Sequence, residues 1–66
     1  MHDIKTTFVP PLISPKEAAA MTTFSMPTLR AMANDGHFPK PRQLSDRRIA
    51  YVRAEVEAWI AAKVAA

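Results

Sequence analysis

The 66-residue sequence contains no cysteine, one glycine and no apolar run near the roughly 20 residues that a membrane-spanning helix needs. Without cysteine there is no disulfide and no thiolate metal site, and His2 and His37 lack the ligand pattern of a zinc site. We therefore expect no metal and no cofactor. No secretion signal is recognisable at the N-terminus, so the sequence predicts a soluble, cytoplasmic protein that does not bind membranes.

The short chain limits both the number of domains and the kind of site. One domain of this size buries only about 60% of the surface that its unfolded chain exposes. A pocket walled on all sides would use side chains that the core requires. No serine has a plausible histidine and carboxylate partner, and Glu55 and Glu57 flank a helix rather than a cleft. We expect no catalytic residues and no enzymatic activity.

Positive charge is concentrated in one segment. Five lysines and arginines against Asp46 alone give residues 40–53 a net charge of +4, whereas the whole chain carries +3. Such a segment is either an ordinary solvated face or the electrostatic footprint of a polyanion-binding protein.

Residues 1–11 mix polar residues with a proline pair and show no period, which predicts a flexible N-terminal arm before a domain of residues 12–66. Phe8 and Val9 form an apolar pair on this arm. They would cover the edge of the protein's own core or reach a neighbouring copy.

Two short helices follow, with start and stop signals in the sequence. Ser14 is a good N-cap, Pro15 suits the first helical position, and Glu17 completes a capping box. Ser25 offers a second N-cap, before a helix over residues 26–34 that Gly36 ends in a left-handed conformation. The second helix has a buried stripe around Leu29 that includes Met26, Met32 and Ala33. Its outer face is free for contacts, as in a helix-turn-helix.

A basic hairpin and a closing helix complete the pattern. "RQL" and "RRIAYV" predict two strands joined by a tight turn at "SDR", and "RAEVEAWIAAKVAA" has the apolar spacing of an amphipathic helix. This order predicts a mainly α protein with a small β-hairpin, the winged helix-turn-helix. The predicted core consists of Leu29, Met32, Phe38, Leu44, Ile49, Tyr51, Val56, Trp59 and Ile60. Core packing is favoured over base stacking for Trp59 and over a partner-binding groove for the methionines.

The segments "ISPKEAAAM", "SMPTLRAMANDGHFPKPRQL" and "RRIAYVRAEVEAWIAAKV" together resemble the AlpA-like phage regulators and the small excisionases, or recombination directionality factors, of the MerR-like winged-helix group. The resemblance spans residues 12–64. It departs from the family at Tyr51, where Trp is common, and at Met26 and Pro27, which offer few hydrogen bonds to bases. The resemblance implies that the helix of residues 26–34 enters the major groove of DNA, while the hairpin tip contacts the backbone or the minor groove.

The candidate DNA-binding residues fall into three groups. Those of the recognition helix are Ser25, Pro27, Thr28, Arg30, Ala31 and Asn34, and those of the wing and its flanks are Lys40, Arg42, Arg47 and Arg48. Lys16 is a further candidate for a phosphate contact, and His37 is read as a helix cap or phosphate neighbour. The alternatives are a solvated helix face and an edge strand protected by charge.

We expect an architectural factor of the excisionase type that binds double-stranded DNA cooperatively and bends it, so that an integrase excises a mobile element. Because one small module covers too little DNA for tight specific binding, copies are expected head to tail on direct repeats. One alternative is an AlpA-like transcriptional regulator. Another, of a different class, is a protein-interaction module that binds a repressor or recombinase.

Overall fold

The structure, a computed structural model, describes residues 9–65. In chain order it contains β1 (Leu12–Ile13), α1 (Pro15–Thr22), α2 (Met26–Asn34), β2 (Arg42–Ser45), β3 (Arg48–Val52) and α3 (Arg53–Ala65). The predicted fold class is confirmed, since these elements form a mainly helical protein with a small antiparallel sheet, arranged as a winged helix-turn-helix. Residues 1–8 of the predicted arm, including Phe8, lie outside the described residues. Within residues 9–65, no helix is long and apolar enough to cross a membrane.

Serine caps begin the first two helices, as the sequence predicted. The Ser14 side chain accepts a hydrogen bond from the Glu17 backbone N–H at 3.0 Å, and the Ser25 side chain accepts one from Thr28 N–H at 3.2 Å. The predicted capping box is only half formed, because the Glu17 carboxylate accepts a hydrogen bond from Arg53 Nη2 at 2.9 Å. The Glu17 carboxylate thus binds Arg53, a residue distant in sequence, instead of the backbone N–H of Ser14 that a full capping box would use.

Left-handed residues follow the first two helices. Gly36 has φ +82°, and bonds from Gly36 N–H to the Ala33 carbonyl (3.1 Å) and from His37 N–H to the Met32 carbonyl (2.8 Å) form the closure expected of a glycine past the last helical turn. After α1, Thr23 adopts φ 68°, a strained region for a β-branched residue. This strain lies in the turn that sets the angle between α1 and α2, where glycine is common.

β3 is the central strand of a three-stranded sheet with the order β1-β3-β2. The predicted hairpin is β2 and β3, joined at Asp46 and Arg47, while β1 was not predicted because two residues are too few to show an alternating pattern. β1 pairs antiparallel with β3, with Leu12 opposite Val52 and Ile13 opposite Tyr51. The sheet therefore joins the start of the domain to the hairpin.

The core prediction is wrong for Leu44, which is 51% exposed. Gln43 lies opposite Ile49 but Ser45 lies opposite Arg48, so Leu44 is the extra residue of a bulge. A bulge breaks the strict in-out alternation on which the prediction relied. β2 is also an edge strand, and all four of its residues are exposed.

The core lies between the helices and β3. Its buried residues are Ile13, Ala18, Leu29, Ala33, Phe38, Tyr51 and Val56, with Met32, Trp59 and Ile60 among the half-buried residues packed against it. Ile49, also predicted in the core, is half-buried. Phe38 stacks edge to face on Tyr51 and Trp59, with ring centroids 5.5 and 5.0 Å apart. This aromatic group fixes the hairpin against α3 and α2.

Candidate nucleic-acid interface

All the candidate residues of the recognition helix are exposed: Ser25, Pro27, Thr28, Arg30, Ala31 and Asn34. The hydroxyls of Ser25 and Thr28 are hydrogen-bonded to each other at 2.8 Å, and the Ser25 oxygen also accepts from Thr28 N–H. The Ser25 hydroxyl is thus engaged within the first turn of α2, whereas the Thr28 hydroxyl keeps its own hydrogen. The outer face of α2 consequently presents Arg30, Asn34, the Thr28 hydroxyl and apolar groups.

Arg30 lies beside the sheet, at the edge of a concavity that we call the helix depression. It has a volume of about 310 Å³ and is lined by Pro15, Met26, Pro27, Arg30, Ile49 and Tyr51. Burial raises the pKa of the Tyr51 hydroxyl, and the positive charge of Arg30 opposes this shift, which places the guanidinium within electrostatic reach of the strand.

A second concavity, the wing depression, lies at the hairpin and has a volume of about 420 Å³. Its lining includes Arg47, Arg48 and Leu44 from the hairpin. Pro15 and Ile49 line both depressions, so the two adjoin.

The two depressions bring α2 and the hairpin tip to adjoining surfaces. Arg30 borders the first, Arg47 and Arg48 border the second, and Pro15 and Ile49 lie between them. The result is a concave, largely apolar surface whose lining includes Arg30 in one depression and Arg47 and Arg48 in the other. Such a surface suits a polyanion, because its cations can meet the charged backbone.

The structure separates Arg42 from the other wing cations. Its guanidinium forms two hydrogen bonds with the Glu55 carboxylate, from Nη1 to Oε1 at 3.0 Å and from Nη2 to Oε2 at 2.9 Å. This pairing raises the pKa of Arg42 and lowers that of Glu55, with the side-chain hydrogen bond as the main cause in both. Arg42 thus has a carboxylate partner within the protein, and its contact with phosphate stays a prediction.

Arg53, the last cation of the basic segment, also has a structural role. Its Nη2 donates to Glu17 at 2.9 Å, its Nη1 lies 3.5 Å from Glu57, and its Nε donates to the Pro10 carbonyl at 2.9 Å. The Arg53 backbone N–H donates to the Pro11 carbonyl. Only 17% of its side chain is exposed. Arg53 thus ties α1, α3 and the segment before β1 together.

The remaining candidate cations make no ion pair within residues 9–65: Lys16, Arg30, Lys40, Arg47 and Arg48. All five are exposed. Lys16 is the sequence neighbour of Pro15, between the two depressions, whereas Lys40 precedes β2 at the end of the hairpin away from the tip. The structure brings Arg30, Arg47 and Arg48 to the adjoining depressions and leaves Lys40 outside their lining.

Sequence reasoning missed Met26 as a surface residue. It was predicted in the buried stripe of α2, but it is 48% exposed and lines the helix depression. Met26 is the first helical residue, where no preceding turn covers it, so position in the stripe alone overstated its burial. The signal that was available is its place directly after the Ser25 cap.

Trp59 and His37 have structural contacts. Trp59 Nε1 donates to the His37 carbonyl at 2.8 Å, and its ring packs edge to face on Phe24 and Phe38. Lys63 Nζ lies 5.2 Å from the centre of the Trp59 ring. Among residues 9–65, no group of three or more histidines and acids is placed to hold a metal ion.

A family model described as Prophage CP4-57 regulatory protein (AlpA) matches residues 12–64. The matched range includes every element from β1 to the greater part of α3, and with them both depressions. No curated protein and no solved structure gives a match to the chain.

Proposed function

The chain belongs to the AlpA family of prophage regulatory proteins and is a small DNA-binding phage regulator, and from that premise we propose that it acts as an architectural factor of the excisionase type. In this proposal α2 enters the major groove, and the hairpin tip contacts the backbone or minor groove alongside. The observation that carries the binding mode is the pair of adjoining depressions, with Arg30 at one and Arg47 and Arg48 at the other.

The exposed cations that make no ion pair among residues 9–65 supply the phosphate contacts in this proposal. Arg47 and Arg48 at the tip, with Lys40 and Arg30, give about four contacts, each releasing a condensed counterion. Lys16 is a further candidate from the first turn of α1. Because the Ser25 hydroxyl donates to Thr28, the side-chain groups of α2 that can still donate to base edges are those of Arg30, Asn34 and Thr28.

Multiple copies are part of the same proposal. One module of this size covers roughly 600 to 1,000 Å² of protein surface on DNA, which is too little for tight specific binding at physiological salt. Copies arranged head to tail on direct repeats would add their contacts and bend the duplex. A bent attachment site would then let an integrase assemble in the excisive direction, with the protein in the cytoplasm and associated with the nucleoid.

Fluorescence anisotropy on labelled duplex DNA across a salt series tests the binding mode. About four phosphate contacts predict a slope near −3.6 in a plot of log K against log salt concentration. Weak binding with a flat slope would contradict it and would favour the protein-interaction module, which has Phe8, Val9 and the exposed face of α2 as its surface for a repressor or recombinase.

The architectural role needs its own test. Gel mobility of duplexes that carry the binding site at different positions should vary with that position, because a bend at the centre retards migration most. Addition of the protein to an excision reaction with the element's integrase should increase the excised product. If mobility does not vary and only promoter activity responds, the chain is a transcriptional regulator instead.

A further inference from the structure

Met26 and Pro27 form an apolar surface at the start of α2, where a DNA-recognition helix makes its base contacts. Met26 is 48% exposed, Pro27 is exposed, and both line the helix depression beside Arg30. A single exposed apolar residue is ordinary on a protein surface. Two adjacent exposed apolar residues in the first turn of this helix would suit a ligand that also has an apolar group.

The polar groups of the same turn are engaged within the protein. Ser25 Oγ accepts from Thr28 N–H and donates to Thr28 Oγ1 at 2.8 Å, and Pro27 has no backbone N–H to offer. Apart from the hydrogen that the Thr28 hydroxyl keeps, the first turn of α2 therefore offers its ligand the thioether chain of Met26 and the ring of Pro27. Methionine suits such a contact because its side chain is unbranched, adaptable and polarisable.

On the edges of the bases, the major groove carries one apolar group, the C5-methyl of thymine. We propose that Met26 reads a thymine in the target site by packing on this methyl, with Pro27 as the adjoining wall. This inference rests on the proposed entry of α2 into the major groove and adds to it the base that the helix start selects.

Arg30 fixes where this thymine lies relative to the next contact. Met26 and Arg30 are four residues apart, so they share a helix face and are separated by about 6 Å along the axis. Because successive base pairs are about 3.4 Å apart along the duplex, that separation spans at most about two base-pair steps. The preferred site thus has a thymine within about two steps of the base or phosphate that Arg30 contacts.

Thymine-to-uracil substitution gives a direct test, because uracil lacks the C5-methyl and keeps every hydrogen-bonding group. The preferred duplex is first selected from random sequence with the full chain, and each thymine is then replaced singly. Anisotropy at fixed salt should show about fourfold weaker binding for uracil at one or two positions, the loss expected for one buried methyl group.

Variants assign the effect to Met26. Met26→Ala should weaken binding to the thymine duplex about fourfold and remove the penalty for uracil. Met26→Leu should keep most of the affinity and most of the uracil penalty. Val64→Ala is the matched control, since Val64 is 78% exposed near the end of α3 and lines neither depression. Far-UV circular dichroism melting verifies that each variant is folded.

The outcomes separate this inference from the proposed function. Salt-dependent binding with no thymine sensitive to uracil, or with the same sensitivity in Met26→Ala, overturns the methyl contact and leaves the DNA-binding mode standing. Absence of binding to any duplex overturns both. A uracil penalty at one or two thymines that is lost in Met26→Ala and kept in Val64→Ala supports the inference.

Discussion

The two ends of the hairpin use the same residue type in different ways. At the base, Arg42 binds Glu55 and Arg53 binds Glu17 and Glu57, all at 2.9 to 3.5 Å. At the tip, Arg47 and Arg48 are exposed and make no ion pair with any described residue. The arginines of the basic segment thus form two groups. Those at the base make ion pairs that stabilise the fold, and those at the tip are exposed and available to bind a ligand.

This difference shows why the count of charges in a segment overstates its binding capacity. A guanidinium whose charge is already paired with a carboxylate attracts a phosphate less strongly, because the nearby negative charge offsets its own. An unpaired guanidinium at the tip exchanges only water and counterions. Substitutions at the tip should therefore change mainly the DNA affinity, and substitutions at the base mainly the stability.

Reversal of charge at the tip should have the largest effect. In the double variant Arg47→Glu, Arg48→Glu, two attractive contacts become repulsive, so affinity for duplex DNA at low salt should fall by at least about 100-fold. Stability should change little, because neither side chain has an ion-pair partner among residues 9–65. Anisotropy and thermal melting measure the two quantities.

A matched single reversal distinguishes position from net charge. Lys63→Glu makes the same change in net charge as Arg47→Glu but lies near the end of α3, against Trp59. An equal loss of affinity in both would mean that overall charge, rather than the tip, determines binding.

Removal of Arg53 at the base should lower the stability and leave the contacts with DNA unchanged. Arg53→Met keeps much of the aliphatic bulk but removes the bonds to Glu17 and the Pro10 carbonyl, at a cost of about 2 kcal/mol in unfolding free energy. Chemical denaturation measures this loss. At temperatures where the variant is folded, the slope of DNA affinity against salt should equal that of the wild type, and a shallower slope would place Arg53 on the DNA.

Release of Arg42 should have a smaller, informative effect. Glu55→Gln leaves the guanidinium without its carboxylate partner and adds one available cation at the base of the hairpin. If the base lies close enough to the duplex, the salt slope steepens by up to about 0.9. An unchanged slope with unchanged affinity would show that DNA contacts are confined to the tip and α2.

The same pair makes a small contribution to the dependence of stability on pH. The hydrogen bond from Arg42 lowers the pKa of Glu55 in the folded state, so the stabilisation is present above the ordinary glutamate pKa and is lost as the pH falls through the lowered value. The difference in melting temperature between the wild type and Glu55→Gln should therefore shrink as the pH falls across that window. A constant difference would contradict a charged pair.

Local signals in the sequence predicted much of this fold. Ser25 and Gly36 set both limits of α2, since an N-cap and a left-handed glycine act within one turn of the chain. The pairing of Arg42 with Glu55 was not predictable, because it depends on how β2 and α3 meet across 13 residues. Leu44 was wrongly placed in the core for a similar reason, since the bulge depends on the register of two strands.

The candidate site follows the same rule. The exposed face of α2 and the basic tip could be read from periodicity and charge, whereas their adjacency depends on the packing of α1 and β3 around Pro15 and Ile49. Met26 differs because its exposure results from its position at the first turn of α2, which the stripe pattern does not encode.

The central claim is that α2 and the hairpin tip contact one duplex together. Because the sequence contains no cysteine, variants with one introduced cysteine can test this claim. Ala31→Cys on α2 and Ser45→Cys beside the tip each give a unique site for an iron-chelate DNA-cleaving label. On the same bound duplex, both labels should cut within about half a helical turn, roughly five base pairs, of each other. Cleavage from only one label, or cuts separated by more than a full turn, would contradict the account.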